Sequence, residues 1–115
     1  MAIEKIADDI FYVTLPRTPH INCELEPLNE MIISGQLCHV ILDFELVQVI
    51  TSSSISALLT LQNLLRTYGR QLIFCNMGFL TKCEFTTTGL SHYFRFVPNK
   101  VAALKALRHE SAPTP

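Results

Sequence analysis

Glycine is scarce, with four in 115 residues, and none falls in a GxxxxGK[ST] or GxGxxG run. The phosphate-cradling loops of the common nucleotide-binding folds are therefore excluded. HExxH and GxSxG are missing too, which removes two familiar hydrolase signatures. Charge is sparse at 17%, and ten acids against nine bases leave a formal net charge of −1, so no global field steers the chain toward nucleic acid. No stretch approaches the roughly 20 apolar residues of a membrane span. The start, MAIEKIADDIFYV, has neither the basic segment nor the continuous apolar core of a leader. The expectation is a cytoplasmic protein without direct membrane insertion. Cys23, Cys38, Cys75 and Cys83 stand 15, 37 and 8 residues apart with no CxxC pair. That spacing gives neither a zinc knuckle nor a redox motif, and it reads as reduced, mostly buried thiols.

What is present fits one ordinary domain. At 49% hydrophobic content, a chain of this length buries about two thirds of its unfolded surface; residues 1–110 are expected to form the domain and 111–115 a frayed tail. Ile10 to Leu15 reads as a strand near a sheet edge, stopped by Pro16 and followed by a loop through Pro19. Glu24 to Ser34 has a helical apolar pattern with Pro27 in its first turn and Gly35 to end it. Cys38 to Phe44 is a nearly continuous apolar run, the mark of a strand covered on both faces.

Beyond the link Glu45 to Ile50, a helix from Ser54 to Tyr68 is closed by Gly69. Its expected buried side is Ile55, Leu58, Leu59, Leu61, Leu65 and Tyr68; Ser56, Thr60, Asn63, Thr67 and Arg70 form the other. Gln71 to Cys75 is a second buried strand, and Gly78 to Thr88 a short helix stopped at Gly89. Phe94 to Val97 is a last strand. Asn99 then caps a helix over Val101 to Arg108, with Leu104 and Leu107 inward. Strands alternating with helices imply an α/β fold: a mixed, largely parallel sheet of four to five strands covered by about four helices.

Charge is unevenly distributed. Residues 1–45 carry eight acids against Lys5 and Arg17, whereas after residue 45 only Glu84 and Glu110 oppose Arg66, Arg70, Lys82, Arg95, Lys100, Lys105 and Arg108. The fold either gathers these into an acidic and a basic side or spreads them over ordinary solvated faces. Catalysis finds little support. His39 lies in a strand and reads as a hydrogen-bonded core histidine; His20 and His109 lie in a loop and at a frayed end. Cys75, Cys83 and His92 lack the tight pairing of a structural metal site, so neither metal nor cofactor is expected. An enzyme reading survives only as a thiol hydrolase using Cys75 or Cys83.

The feature that composition does not explain is the hydroxyl run Thr51, Ser52, Ser53, Ser54. It sits where a helix leaves its first N–H groups unpaired, so capping alone accounts for one of these residues. A phosphate there would meet a favourable helix dipole, keep the helix intact, and place a dianion beside the neutral face containing Ser56 and Thr60. Such a switch acts on binding, not on folding.

VILDF at 40–44, VQVITSSSISALL at 47–59, Arg66 with Gly69, and TTGL at 87–90 follow one another in an order and spacing that resembles the STAS domain of sulfate transporters and anti-sigma-factor antagonists. The likeness covers residues 38–108. In the antagonist branch the corresponding loop reads Asp-Ser-Ser-Gly, and its second serine, which falls on Ser53 with Ser52 before it, is phosphorylated by an anti-sigma factor that is itself a serine kinase. Thr88, Gly89 and Leu90 match the family's threonine-glycine-leucine. The resemblance, with the exposed face of the helix, implies a partner-binding surface of Thr51, Ser52, Ser53, Ser54, Ser56, Thr60, Thr88 and Gly89, released when Ser53, or alternatively Ser52, is phosphorylated. Thr51 replaces the family aspartate and Ser54 its glycine. The alternative is an unswitched STAS subunit of a transporter ATPase or lipid-trafficking complex.

Overall fold

A computed structural model of the chain describes residues 2–17, 21–35 and 38–111. The expected loop through Pro19 and the tail beyond Ser111 lie wholly or partly outside these residues. Five strands form one sheet in chain order: β1 (Ala2–Ala7), β2 (Ile10–Thr14), β3 (His39–Asp43), β4 (Leu72–Cys75) and β5 (Arg95–Val97). Only the β1–β2 hairpin is antiparallel, and the other three pairings are parallel. The mixed, largely parallel α/β sheet expected from the alternation is present.

Strand β1 was not foreseen. Its Ile3, Glu4, Lys5 and Ala7 are exposed, so it carries no burial pattern that a sequence reading could find. It also displaces β2 from the edge. Ile10, Phe11, Tyr12 and Val13 are all buried, as a strand flanked on both sides requires.

Side chains alternate between two cores, as a pleated strand demands. Phe11, Val13 and Leu15 of the β2 segment, Val40, Leu42 and Phe44 around β3, and Leu72 and Phe74 of β4 face one core. Ile10, Tyr12, Ile41, Ile73 and Cys75 face the other. Right-handed parallel crossovers place their helices on a single face. Accordingly α1 (Ile21–Glu24), α2 (Glu26–Ile33), α3 (Ser52–Thr67) and α4 (Phe79–Thr87) contribute to the first core, and α5 (Lys100–Ser111) covers the second through Ala103 and Leu107. Leu104 is only partly buried there.

The single helix expected over Glu24 to Ser34 is two, broken at Leu25, with Pro27 in the first turn of α2 and Gly35 beyond its end at φ +103°. Tyr68, expected on the buried side of α3, is exposed, because it lies past the last helical residue where the chain turns at Gly69. Asn99 caps α5, its Oδ1 accepting the Ala102 amide at 2.9 Å. The thiols divide: Cys38 and Cys75 are buried as expected, whereas Cys83 is half-buried and Cys23 is exposed.

Candidate functional site

Every β3, β4 and β5 strand ends at the same edge of the sheet because all three run parallel. From that edge β3 delivers the chain into the link 44–50 and then into the hydroxyl run. The run is not a loop before the helix; it forms the cap and the first turn. Thr51 is the N-cap, extended at φ −102° and ψ 164°, and its Oγ1 accepts the Ser54 amide at 3.1 Å. The Thr51 and Ser54 hydroxyls also lie 3.0 Å apart. A hydroxyl at this position satisfies one of the helix's orphan donors, and the helix therefore begins two residues earlier than the apolar pattern indicated.

The four hydroxyls consequently have different fates. Ser54 is fully buried and is part of the cap, so it is unavailable for direct contact with a partner. Its φ is not positive, so serine takes the family glycine's place in ordinary helical conformation. Ser52 and Ser53 are exposed, Thr51 is half-buried, and Ser56 and Thr60 continue the exposed stripe one and two turns along. Thr60 Oγ1 donates to the Ser56 carbonyl at 3.1 Å.

Thr88 and Gly89 are not with them. They close α4 near the opposite edge of the sheet, where the chain turns toward the start of β5. Thr88 Oγ1 donates back to the Glu84 carbonyl at 3.0 Å, and Gly89 sits at φ +77°. This threonine-glycine pair terminates a helix.

Three exposed apolar residues lie in the link into α3 and at the start of α4. Phe79 and Leu80, at the start of α4, are 80% and 77% exposed, and Val49, in the link into the hydroxyl run, is 61% exposed. Val49 and Leu80 line a hollow of about 120 Å³ with Gln48, Ile50, Thr81 and Glu84. Exposed apolar groups that share one hollow at the link into the hydroxyl run, as Val49 and Leu80 do, mark an interaction surface. The signal available in sequence was the pair Phe79-Leu80 directly after Gly78, which the inward-facing pattern of a short helix disguises.

The link itself is anchored by a buried carboxylate. Asp43 ends β3 with its Oδ2 accepting from the Tyr12 hydroxyl and, at 3.1 Å, from Asn76 Nδ2, while its Oδ1 accepts the Glu45 amide at 2.8 Å. Strands β2, β3 and β4 are thus tied together where the link begins. Asn76 takes part at φ +54°, the only non-glycine residue with positive φ among the described residues. Burial and the bond to Asp43 push the Tyr12 hydroxyl far above its usual range, keeping it a proton donor. Burial likewise pushes the Cys75 thiol up to about 11, the reverse of the activation a catalytic thiol needs. Among the described residues no group of three or more His, Cys, Asp or Glu side chains is placed to hold a metal ion. No helix among them is long and apolar enough to cross a membrane.

The STAS domain family matches residues 4–103, so the chain belongs to the STAS domain family. Its fold is similar to that of the anti-sigma-factor antagonist SpoIIAA in its unphosphorylated form (17% identity, 94% of this chain and 96% of that one, TM-score 0.79). The phosphorylated form of SpoIIAA, from Bacillus, matches at 17% identity over 93% and 98% of the two chains, with a TM-score of 0.66. A variant of Moorella thermoacetica RsbS matches at 18% identity over 96% of both chains, with a TM-score of 0.81. A part of the murine anion transporter Solute Carrier 26 family member A9 also matches (19% identity, 92% of this chain and 18% of that one, TM-score 0.67). No curated protein sequence gives a significant match.

Proposed function

We propose that this chain is a regulatory binding module of the anti-sigma-factor antagonist type. Its partner, an anti-sigma factor with serine kinase activity, docks on Ser52, Ser53, Ser56 and Thr60 and on Val49, Phe79 and Leu80, and phosphorylation of Ser53 weakens the complex. The observation that carries the reading is the exposure of Ser53 in the capped first turn of α3, four residues after exposed Val49, which shares a hollow with exposed Leu80. A kinase reaches such a hydroxyl without unfolding anything. The phosphate would enjoy the helix dipole, worth about 0.3–1 kcal/mol at an exposed terminus, while its charge of about −1.5 to −2 opposes an apolar partner packed against the same spot. That SpoIIAA is known in phosphorylated and unphosphorylated forms accords with this reading.

The test is recovery of the partner from native lysate on immobilised wild-type, Ser53→Ala and Ser53→Asp chains, with intact-mass analysis of residues 51–54. Ser53→Ala should retain the partner, and Ser53→Asp should lose about tenfold in affinity, near 1.4 kcal/mol. Equal retention by both variants sinks the switch. The transporter match supports a second reading, a permanent STAS subunit of a transporter or lipid-trafficking assembly using the same face. Fixed stoichiometry with a transporter ATPase and no phosphate on the native chain would favour it.

A further inference from the structure

The bases of the second half of the chain are partly gathered by the fold. Arg66 comes from the last turn of α3, Arg70 from the link into β4, and Arg95 opens β5; the three line one cavity of about 290 Å³ with Gln62, Gln71 and Tyr93. None of the residues lining it is acidic. The cavity lies where β4 and β5 begin, whereas Ser53 lies beyond the end of β3. At about 1.5 Å per residue, α3 separates the two by roughly 20 Å.

A helix C-terminus favours cations, which accounts for Arg66 in the last turn of α3 but not for Arg70, beyond the turn at Gly69, nor for Arg95, a strand residue at the same cavity. An anion placed among three like charges is attracted by all of them. The wall is also held in place. Arg95 Nη1 donates to Gln71 Oε1 at 3.2 Å, and the Arg66 guanidinium lies 5.7 Å from the Tyr93 ring centroid. Gln62 Nε2 donates to the Tyr93 carbonyl at 2.6 Å, and the Tyr93 hydroxyl donates to Asn63 Oδ1 at 3.0 Å. These bonds clamp the segment before β5 onto α3, so that donors and ring are set before any ligand arrives.

We propose that this cavity binds a small phosphate-bearing molecule, with the phosphate among the three guanidinium groups and the organic portion against Tyr93. Guanidinium forks match phosphate oxygens in pairs. A phosphate monoester carries about −1.5 to −2 charge near neutral pH, which a wall of three cations suits better than it suits a single carboxylate. The volume falls close to the lower end, about 300 Å³, of small-molecule pockets, room for a phosphate and a group of sugar size.

The experiment titrates the full chain, labelled with nitrogen-15, with inorganic phosphate, ribose 5-phosphate and ribose in separate runs. Saturable amide shifts confined to residues 62–72 and 91–95 are expected with both phosphates and not with ribose. An Arg66→Gln, Arg70→Gln double variant should bind about tenfold more weakly, as should Arg95→Gln, with amide spectra elsewhere unchanged. Ser53→Asp should bind as wild type does, so this result stands apart from the fate of the docking face. The proposal is overturned if millimolar phosphate gives no saturable shift. Shifts spread equally over Lys82, Lys100 and Lys105, unchanged affinity in the arginine variants, or binding of an oligonucleotide or acidic peptide that neither phosphate competes away would overturn it as well.

Discussion

His39 opens β3 as a buried residue, and its Nδ1 accepts the Gln71 amide at 3.0 Å. That nitrogen must be unprotonated to accept. Burial lowers the imidazole's pKa, Arg70 lowers it further, and Asp9, 3.9 Å from Nε2, only partly opposes them. A folded-state pKa below the unfolded value of about 6.5 means that the unfolded chain takes up the proton first. The contribution of His39 is thus fully present above about pH 6.5 and is lost as pH falls below it. Urea midpoints at about pH 7.5 and about pH 5.5 should show wild type losing more stability on acidification than His39→Asn, which keeps an acceptor and cannot titrate. Equal losses would show that His39 is not the group responsible. The core role of this histidine was legible, since an imidazole inside an apolar run must find a partner. Asp43 was not, because its partners, Tyr12 in β2 and Asn76 just past β4, lie about thirty residues away on either side, and no local pattern announces such a meeting.

Helix α3 was readable in its body and misread at its start. Apolar spacing identifies the turns that pack, and Leu58, Leu61 and Leu65 are fully buried as expected. Spacing is silent about a cap, which depends on one side chain reaching an amide three residues on. Thr51→Ala should destabilise the chain by about 1 kcal/mol through loss of the bond to the Ser54 amide. Thr51→Asp, which restores the family residue, should match or exceed wild type, because aspartate is the better N-cap. Thermal melts check both, and a Thr51→Ala variant as stable as wild type would remove the cap from the account. The hydroxyl run was therefore legible as a helix start, but the separation of exposed Ser53 from buried Ser54 was not. Neither was the distance of Thr88 and Gly89 from it, which follows from α4 running back across the sheet.

Across the whole molecule, the first core is organised around Phe74. Its ring centroid lies 4.9 Å from that of Phe44, 4.8 Å from Phe94, 5.5 Å from Phe96 and 5.9 Å from Phe85, joining β3, β4, α4 and β5. Phe74→Ala should cost about 3–5 kcal/mol, a large share of the roughly 5–15 kcal/mol that holds a domain together. Chemical denaturation would measure it, and a loss under about 1 kcal/mol would mean the ring is not central. The strand order, identical to the chain order, has a kinetic consequence. No strand has to insert between two already paired, so a chain emerging from the ribosome can add each strand and its helix to a finished neighbour. Until the next strand docks, however, each newly docked strand presents an open row of amides and carbonyls, the template for wrong pairing with another nascent chain. The three-residue β5 leaves that row too short to recruit a stranger.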